Sequence, residues 1–222
     1  MIEFKNINKS YKLGKNNTVA ALKDININIK EGSVVVLKGS SGSGKSSILS
    51  LVSAISKPTS GEVIVDNKQI SKLSDRFASE YRLNNIGIVF QKYNLVEDIS
   101  VEQNVILPLI PKNLDSDLVE SKVDTALDMF GIKHYKNSTV KNLSGGEQQR
   151  VAIARAYINE PKIIIADEPT ANLDEKLSLD FIEIIKDLKK QNKTVIIATH
   201  DPLFFNLDIV DKYIEMKNGS II

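Results

Sequence analysis

Residues 34–46 read VVVLKGSSGSGKS, an apolar run followed by a loop of glycine and serine. Val34–Leu37 form an uninterrupted apolar run, which predicts a strand buried on both of its faces. A loop of glycine and serine follows, and from Lys45 to about Ile55 the pattern becomes helical. A buried strand that leads through a glycine-rich loop into a helix predicts an α/β domain with a mostly parallel core sheet.

The loop matches the spacing G-x-x-x-x-G-K-[ST], which is typical of phosphate-binding loops. Its glycines allow backbone N–H groups to turn around an anion, and the start of the following helix adds the positive end of a dipole. Lys45 would place a cation beside the β- and γ-phosphates of a nucleotide, and the Ser46 hydroxyl would bind Mg²⁺. A merely flexible turn is the alternative, which the flanking strand and helix disfavour. The predicted nucleotide-binding residues are Gly39, Ser40, Ser41, Gly42, Ser43, Gly44, Lys45, Ser46 and Ser47.

A second apolar run, Ile163–Ala166, ends in two adjacent acids, Asp167 and Glu168. α/β sheets bind their ligands at the carboxyl ends of their strands, so both side chains are expected near the phosphate loop. Asp167 suits a contact with Mg²⁺ through water, and Glu168 suits the role of general base toward an attacking water. A strand that ends in a solvated acidic turn is the alternative, and it loses support once Lys45 is placed beside the phosphates.

The remaining pattern indicates one domain over residues 1–222. Val101–Phe130 and Leu177–Leu188 have helical periodicity, and Asn218-Gly219 is typical of a hairpin turn. We therefore predict a nucleotide-binding α/β core from residues 1–91 and about 141–222, with a helical insertion over about 92–140. Apolar alternation or short apolar runs predict further strands, the first of them antiparallel: Ile25–Ile29, Val63–Val65, Ile86–Phe90 and Val195–Ala198.

The composition argues against several classes of function. The net charge of +1 gives no strong field that would attract nucleic acid, and the chain has no cysteine for disulfides or thiolate metal sites. Its two histidines, His134 and His200, disfavour a multi-histidine metal site. No apolar run approaches the roughly 18–20 residues of a membrane span, and no leader precedes the first strand. If the protein serves a membrane, we expect it to act through a partner.

The run Leu143–Arg150, with the sequence LSGGEQQR, resembles the signature of the ABC ATPases. The resemblance covers nearly the whole chain and implies a P-loop NTPase fold of ABC type. That fold has a mostly parallel core sheet with helices, an N-terminal antiparallel β subdomain and an inserted α-helical subdomain that precedes the signature at 143–148. The signature of one protomer is then expected to close on the γ-phosphate held by another, in a two-fold homodimer that sandwiches two ATP molecules.

The same resemblance implies roles for single residues. Tyr11 would stack on adenine, Gln91 would sense Mg²⁺ and the attacking water, and His200 would contact the γ-phosphate. The implied cofactors are ATP and Mg²⁺. In full, the implied catalytic residues are Glu168, His200, Gln91 and Lys45, the metal ligands Ser46, Gln91 and Asp167, and the residues acting across the dimer Ser144, Gly145, Gly146, Gln148, Asn172 and Asp174.

Within the family, Ile86–Gln91 and Val101–Val105 look like the group of macrolide exporters, lipoprotein-releasing ATPases and antimicrobial-peptide exporters. The implied partner is an integral membrane permease, and the implied location is cytoplasmic, on the inner face of the membrane. An ATPase of a non-transporting mechanotransmission or signalling complex is the alternative. A soluble ABC ATPase acting on ribosomes or DNA, or a P-loop kinase or GTPase outside the family, fits the single cassette and its signature less well.

Overall fold

The computed structural model describes residues 1–14, 17–171 and 173–222, and its strands form two sheets. The strands are β1 (Ile2–Leu13), β2 (Asn17–Ile29), β3 (Val34–Lys38), β4 (Ser60–Val65), β5 (Lys68–Gln69), β6 (Ile86–Val89), β7 (Ile163–Asp167), β8 (Thr194–Thr199), β9 (Lys212–Lys217) and β10 (Ser220–Ile221). One sheet has the order β2-β1-β4-β5 and is antiparallel. The other has the order β10-β9-β3-β8-β7-β6 and is parallel except for β10.

The parallel strand order brings the predicted functional residues together, because they follow the carboxyl ends of neighbouring strands. Strands β3, β8, β7 and β6 are neighbours, so their carboxyl ends meet. The antiparallel exception arises at the turn Asn218-Gly219, where both residues have positive φ, 51° and 84°. A two-residue hairpin turn of this kind matches the twist of its strands, and the predicted hairpin is confirmed.

The α-helices of the described residues are α1 (Lys45–Val52), α2 (Asp75–Asn85), α3 (Val101–Ile106), α4 (Ser116–Met129), α5 (Gly145–Tyr157) and α6 (Glu175–Lys190). Helix α1 ends before the predicted Ile55. The helical pattern predicted over Val101–Phe130 is divided into α3 and α4 by a short 3₁₀ segment, Leu107–Lys112. This segment contains two prolines, which have no N–H to donate to a continuing α-helix.

Strand β3 separates two hydrophobic clusters, one on each face of the parallel sheet. Val34 and Val36 belong to the cluster that includes residues of α3–α6, whereas Val35 and Leu37 belong to the cluster that includes α1 and the antiparallel sheet. Successive side chains of a strand point to opposite faces, so an uninterrupted apolar run supplies both clusters. The predicted strand with two buried faces is confirmed.

Helix α5 lies very close to strand β6. A Cβ atom added at Gly87 in β6 would lie 2.3 Å from the backbone oxygen of Ala156 near the end of α5. The sequence therefore needs glycine at this position so that the helix following Leu143 can pack against the sheet.

Within residues 1–14, 17–171 and 173–222, we find no helix with both the length and the hydrophobicity of a membrane span.

Candidate functional site

The carboxyl ends of β3, β8, β7 and β6 surround a cavity of about 350 Å³. The cavity brings together residues from each of the predicted phosphate, magnesium and catalytic sets. Its lining consists of Ala21, Ser41, Gly42, Ser43, Gly44, Lys45, Ser46, Ser47, Gln91, Asp167, Glu168 and His200. Gly39 and Ser40 lie at the start of the same loop and contact the cavity through Lys45.

The loop between β3 and α1 depends on glycine at its last position. Gly44 has φ 109°, and a Cβ atom there would lie 2.7 Å from the backbone oxygen of Ala21. The Lys45 side chain is 5% exposed, and its Nζ donates to the backbone oxygens of Gly39 at 2.6 Å and Ser40 at 3.2 Å. The Ser43 hydroxyl is buried in the lining without a hydrogen-bond partner among the described residues. A cation and a hydroxyl without a partner thus both line the cavity, where an anion could bind them.

Ser46 and Asp167 face each other across the cavity. The Ser46 hydroxyl donates to Asp167 Oδ1 at 3.2 Å. Burial raises the pKa of the Asp167 carboxyl, and the neighbouring Glu168 charge adds to this, against the hydrogen bond from Ser46 and the charge of Lys45.

Glu168 follows β7 in a left-handed conformation with φ 45°, which costs about 1–2 kcal/mol for a residue with a Cβ. Its Oε1 lies 3.3 Å from Lys45 Nζ, and its Oε2 accepts hydrogen bonds from the His200 backbone N at 3.2 Å and pairs with His200 Nδ1 at 2.9 Å. Burial pushes the pKa of Glu168 up, but the two hydrogen bonds from His200 and the charge of Lys45 outweigh burial, so the pKa is lowered. The carboxylate form is therefore the favoured form in this site.

Tyr11 lies on β1, outside the lining of the cavity, and contacts α1. Its side chain is 39% exposed, and Lys9 Nζ lies 4.7 Å from its ring centroid. Burial raises the pKa of Tyr11, but interactions with the hydroxyls of Ser47, Ser50 and Ser56 and with the charge of Lys9 outweigh it and lower the pKa. The Tyr11 hydroxyl therefore lies near the helix that follows the glycine-rich loop.

The signature residues do not line this cavity. Ser144 caps α5, because its hydroxyl accepts from the Glu147 backbone N at 3.5 Å. In return, the hydroxyl and the backbone N of Ser144 donate to Glu147 Oε2, at 2.8 and 2.7 Å. Ser144 and Gly145 are exposed, whereas Gly146 is buried. Gln148 Nε2 donates to the backbone oxygen of Leu143 at 3.0 Å, within its own protomer.

Asp174 caps α6, because its Oδ1 accepts from the Leu177 backbone N at 2.8 Å. The prediction for Asn172 lies outside the described residues.

Two polar contacts around Glu168 were not predicted from the sequence. Gln149 Nε2 donates to the backbone oxygen of Pro169 at 2.8 Å, and the Thr170 hydroxyl donates to Asp201 Oδ2 at 2.8 Å. Gln149 is 3% exposed and Thr170 is 4% exposed. A glutamine one turn before the buried Ala152 and Ile153 was the available sequence signal for the first contact.

The comparison with known proteins agrees with this geometry. The chain matches the ABC transporter family over residues 22–171. The uncharacterized ABC transporter ATP-binding protein MJ0796 of Methanocaldococcus jannaschii is 43% identical, and the alignment covers 100% of this chain and 95% of that protein. The lipoprotein-releasing system ATP-binding protein LolD of Rickettsia bellii is 38% identical, with 100% and 97% covered.

The fold also matches a solved structure. A dimeric structure of the cassette MJ0796 in a post-hydrolysis state, bound to ADP and Pi, has a TM-score of 0.90 to this chain at 39% identity, and the match covers 100% of this chain and 96% of that one. The loop that contains Lys45, the acids Asp167 and Glu168, and the helix α5 occur here in a chain with that fold. The chain therefore belongs to the ABC transporter family and is one of its ATP-binding, ATP-hydrolysing subunits.

Proposed function

We propose that the cavity binds the phosphates of ATP and that Glu168 activates the water that cleaves the γ-phosphate. The observation that carries the proposal is the pairing of Lys45 and Glu168 at 3.3 Å in one cavity. Lys45 supplies the cation for the phosphates, while Glu168 is kept ionised as a proton acceptor. His200, which contacts the same carboxylate and lines the cavity, would contact the γ-phosphate.

The oxygen ligands at Ser46 and Asp167 fit Mg²⁺. The described residues contain no cluster of three or more histidine or acidic side chains that would hold a metal by themselves. Mg²⁺ is commonly held by one or two carboxylates together with substrate phosphates, which suits the single hydroxyl–carboxylate pair found here. Bound there, Mg²⁺ would neutralise charge on the phosphates. Gln91, which lines the same cavity, would be a further oxygen ligand.

The two remaining groups of predicted residues are proposed to bind the adenine of ATP and the nucleotide held by a partner protomer. Tyr11 would stack on adenine from its place beside α1. Ser144 and Gly145 are exposed at the start of α5, where backbone N–H groups and the helix dipole attract an anion. Since these residues do not line their own protomer's cavity, we propose that they bind the γ-phosphate held by a second copy in a two-fold ATP sandwich. Gly146, Gln148, Asn172 and Asp174 are proposed to act across the same dimer.

The membrane partner is proposed to dock beside the segment that follows Gln91, within the helical insertion of about residues 92–140. A groove of about 280 Å³ borders this segment, and its lining combines Asn94 and Pro108 with residues of α2, β6 and α5, among them Arg155. Among the described residues, the buried polar atoms Tyr93 Oη and Asn159 Oδ1 near this groove have no hydrogen-bond partner. Arg155 donates to the backbone oxygen of Asn94 at 2.6 Å, which joins the groove to the segment after Gln91.

In the cell, we place the protein on the cytoplasmic face of the membrane, bound to an integral permease. An exporter of peptide, lipophilic drug or lipoprotein type fits the resemblance stated above and the similarity to LolD. An ATPase of a signalling or mechanotransmission complex is the second candidate, and copurification of the membrane partner distinguishes the two.

The proposed ATP sandwich is tested with Glu168→Gln. Glutamine keeps the shape of the side chain but takes up no proton at neutral pH, so ATP binding is expected to survive while hydrolysis falls by a factor of about 10² or more. The bridging γ-phosphate then persists. Size exclusion with light scattering is expected to give the mass of two chains with ATP and Mg²⁺, and of one chain with ADP.

The control adds Ser144→Arg to Glu168→Gln. The added side chain crowds the exposed start of α5 and leaves the loop that contains Lys45 unchanged, so ATP binding by the monomer should remain while the dimer is lost. A monomer at saturating ATP in Glu168→Gln alone would contradict the sandwich. A dimer that is equally populated with ADP would show that association does not depend on the γ-phosphate.

A further inference from the structure

A buried glutamine in α5 contacts the turn that carries Glu168. The Gln149 side chain is 3% exposed, and its Nε2 donates to the backbone oxygen of Pro169 at 2.8 Å. Pro169 is also buried and directly follows Glu168. A buried carbonyl without a partner is unfavourable, so this hydrogen bond belongs to what fixes the turn.

The turn needs such fixing because its backbone is strained and has few donors. Glu168 has φ 45°, a conformation that residues with a Cβ adopt at a cost. Pro169 has no N–H to donate. The backbone bonds that hold Glu168 are its N–H to the oxygen of Ala198 at 2.8 Å and its own oxygen to the N–H of Ala171 at 3.2 Å.

Helix α5 offers a rigid base for the third bond. Val151, Ala152 and Ala154, which follow Gln149 on the helix, are each 0% exposed. A close-packed helix does not shift in response to a single turn, so the position of the Gln149 amide is set by the core. The hydrogen bond from the Gln149 amide to Pro169 therefore joins the Glu168 turn to a rigid helix.

We propose that Gln149 is a positioning residue for ATP hydrolysis, which acts by holding the Glu168 turn in its left-handed conformation. Gln149 does not line the nucleotide cavity, so its effect would pass through Glu168 and not through contact with ATP. The inference rests on the proposed role of Glu168. The inference predicts different effects on hydrolysis and on binding. Loss of the Gln149 amide should slow ATP hydrolysis, whereas ATP binding by the loop that contains Lys45 should be unchanged.

Gln149→Met tests this inference in the full chain. Methionine has a similar length and shape, but it has no N–H to donate. The expected result is a fall in kcat of about tenfold, because small misplacements of a reacting group cost this much or more. The KM for ATP, and the affinity for ATP measured at equilibrium, should stay within about twofold of the wild type.

The matched control is Thr194→Val, at the end of strand β8 that lies opposite to His200. Thr194 is 4% exposed, and its hydroxyl accepts from the Gly32 backbone N at 3.0 Å. This variant also removes one buried partner of a backbone group, but far from Glu168, so it should lower the melting temperature and leave kcat unchanged. Gln149→Leu, assayed in parallel, removes the same donor with a different shape and serves if the methionine variant does not fold.

A double variant with Glu168→Gln shows whether Gln149 acts through Glu168. In that background, single-turnover measurements over hours should find that Gln149→Met changes the slow residual hydrolysis less than twofold. The proposal is overturned if kcat of Gln149→Met stays within twofold of the wild type, if the affinity for ATP falls as much as kcat, or if the two substitutions multiply in the double variant. Hydrolysis by the wild type is measured first, since its absence would overturn the proposed function itself and not this inference.

Discussion

At the scale of single residues, the site shifts two adjacent carboxyl groups in opposite directions. Burial dominates at Asp167 and raises its pKa, whereas at Glu168 the hydrogen bonds from His200 and the charge of Lys45 lower it. The two residues are neighbours in sequence, but β7 ends at Asp167, and the left-handed backbone of Glu168, with φ 45°, gives its side chain different partners. One strand end can therefore carry the proposed metal ligand and the proposed proton acceptor.

The acid side of the pH profile is predicted to depend on His200. The usual pKa of a glutamate is about 4.3, and in this site Glu168 is ionised to a lower pH, so its contribution to stability is present above that value and is lost as pH falls through the lowered pKa. His200→Ala removes the ring contact at 2.9 Å and should raise the pKa of Glu168. The acid limb of kcat/KM should therefore move to higher pH.

The control for this experiment is His134→Ala, since His134 is exposed and lies away from the cavity. Its profile should overlay that of the wild type. An acid limb that stays in place in His200→Ala, or that moves to lower pH, would show that the ring does not stabilise the carboxylate.

At the scale of secondary-structure elements, those with a clear apolar pattern were predicted from the sequence, and those without one were not. The uninterrupted runs at β3, β7 and β8 were predicted as strands because each supplies both faces of the sheet, and the structure buries them on both faces. Helix α2 was not predicted, because Ala78 is its one buried residue and no apolar stripe results. Gln149 was not predicted as a site residue: its place one turn before Ala152 and Ile153 signals a buried glutamine, but not that its partner is Pro169, 20 positions away.

Packing of α5 on β6 is predicted to make Gly87→Ala destabilising. The new Cβ would meet the backbone oxygen of Ala156 at 2.3 Å and Pro161 Cγ at 3.0 Å, so a whole helix end has to move. Overpacking of this kind costs about 2 kcal/mol, or about 4–8 °C in melting temperature for a chain of this length. Thermal unfolding by circular dichroism measures the shift.

Gly145→Ala is the matched control for stability. A Cβ at Gly145 meets nothing within 4 Å, and alanine is the better helix former. Its melting temperature should equal or exceed that of the wild type. If Gly87→Ala melts as high as Gly145→Ala, the close approach of α5 to β6 does not limit the side chain at residue 87.

At the scale of the whole molecule, one short segment of the chain connects the nucleotide cavity with the proposed docking groove. Gln91 lines the cavity at the end of β6, and the segment that follows it is bound through Asn94 to Arg155 of α5. Arg155 also lines the groove. A membrane partner seated in the groove would therefore contact the segment next to Gln91, so nucleotide and partner can influence each other through a few residues.

The partner is predicted to need the apolar surface beside the groove. Ile110, in the 3₁₀ segment Leu107–Lys112, is 63% exposed. Val96, which precedes α3 in the sequence, is 46% exposed. Ile110→Asp puts a charge where a partner helix would bury an apolar face, so capture of the integral partner from membranes should fall at least tenfold. ATP turnover of the isolated chain should be unchanged, because Ile110 does not line the nucleotide cavity.

Phe77→Asp is the control, since Phe77 is also largely exposed, 57%, but lies in the first turn of α2 and does not line the groove. Both variants remove one exposed apolar side chain and add one negative charge, so a difference between them reports the place of docking and not general stickiness. We expect Phe77→Asp to retain the partner, and crosslinks from the partner to fall on residues 91–110. Loss of the partner in Phe77→Asp with retention in Ile110→Asp, or crosslinks confined to residues 192–222, would place the docking surface on another face of the molecule.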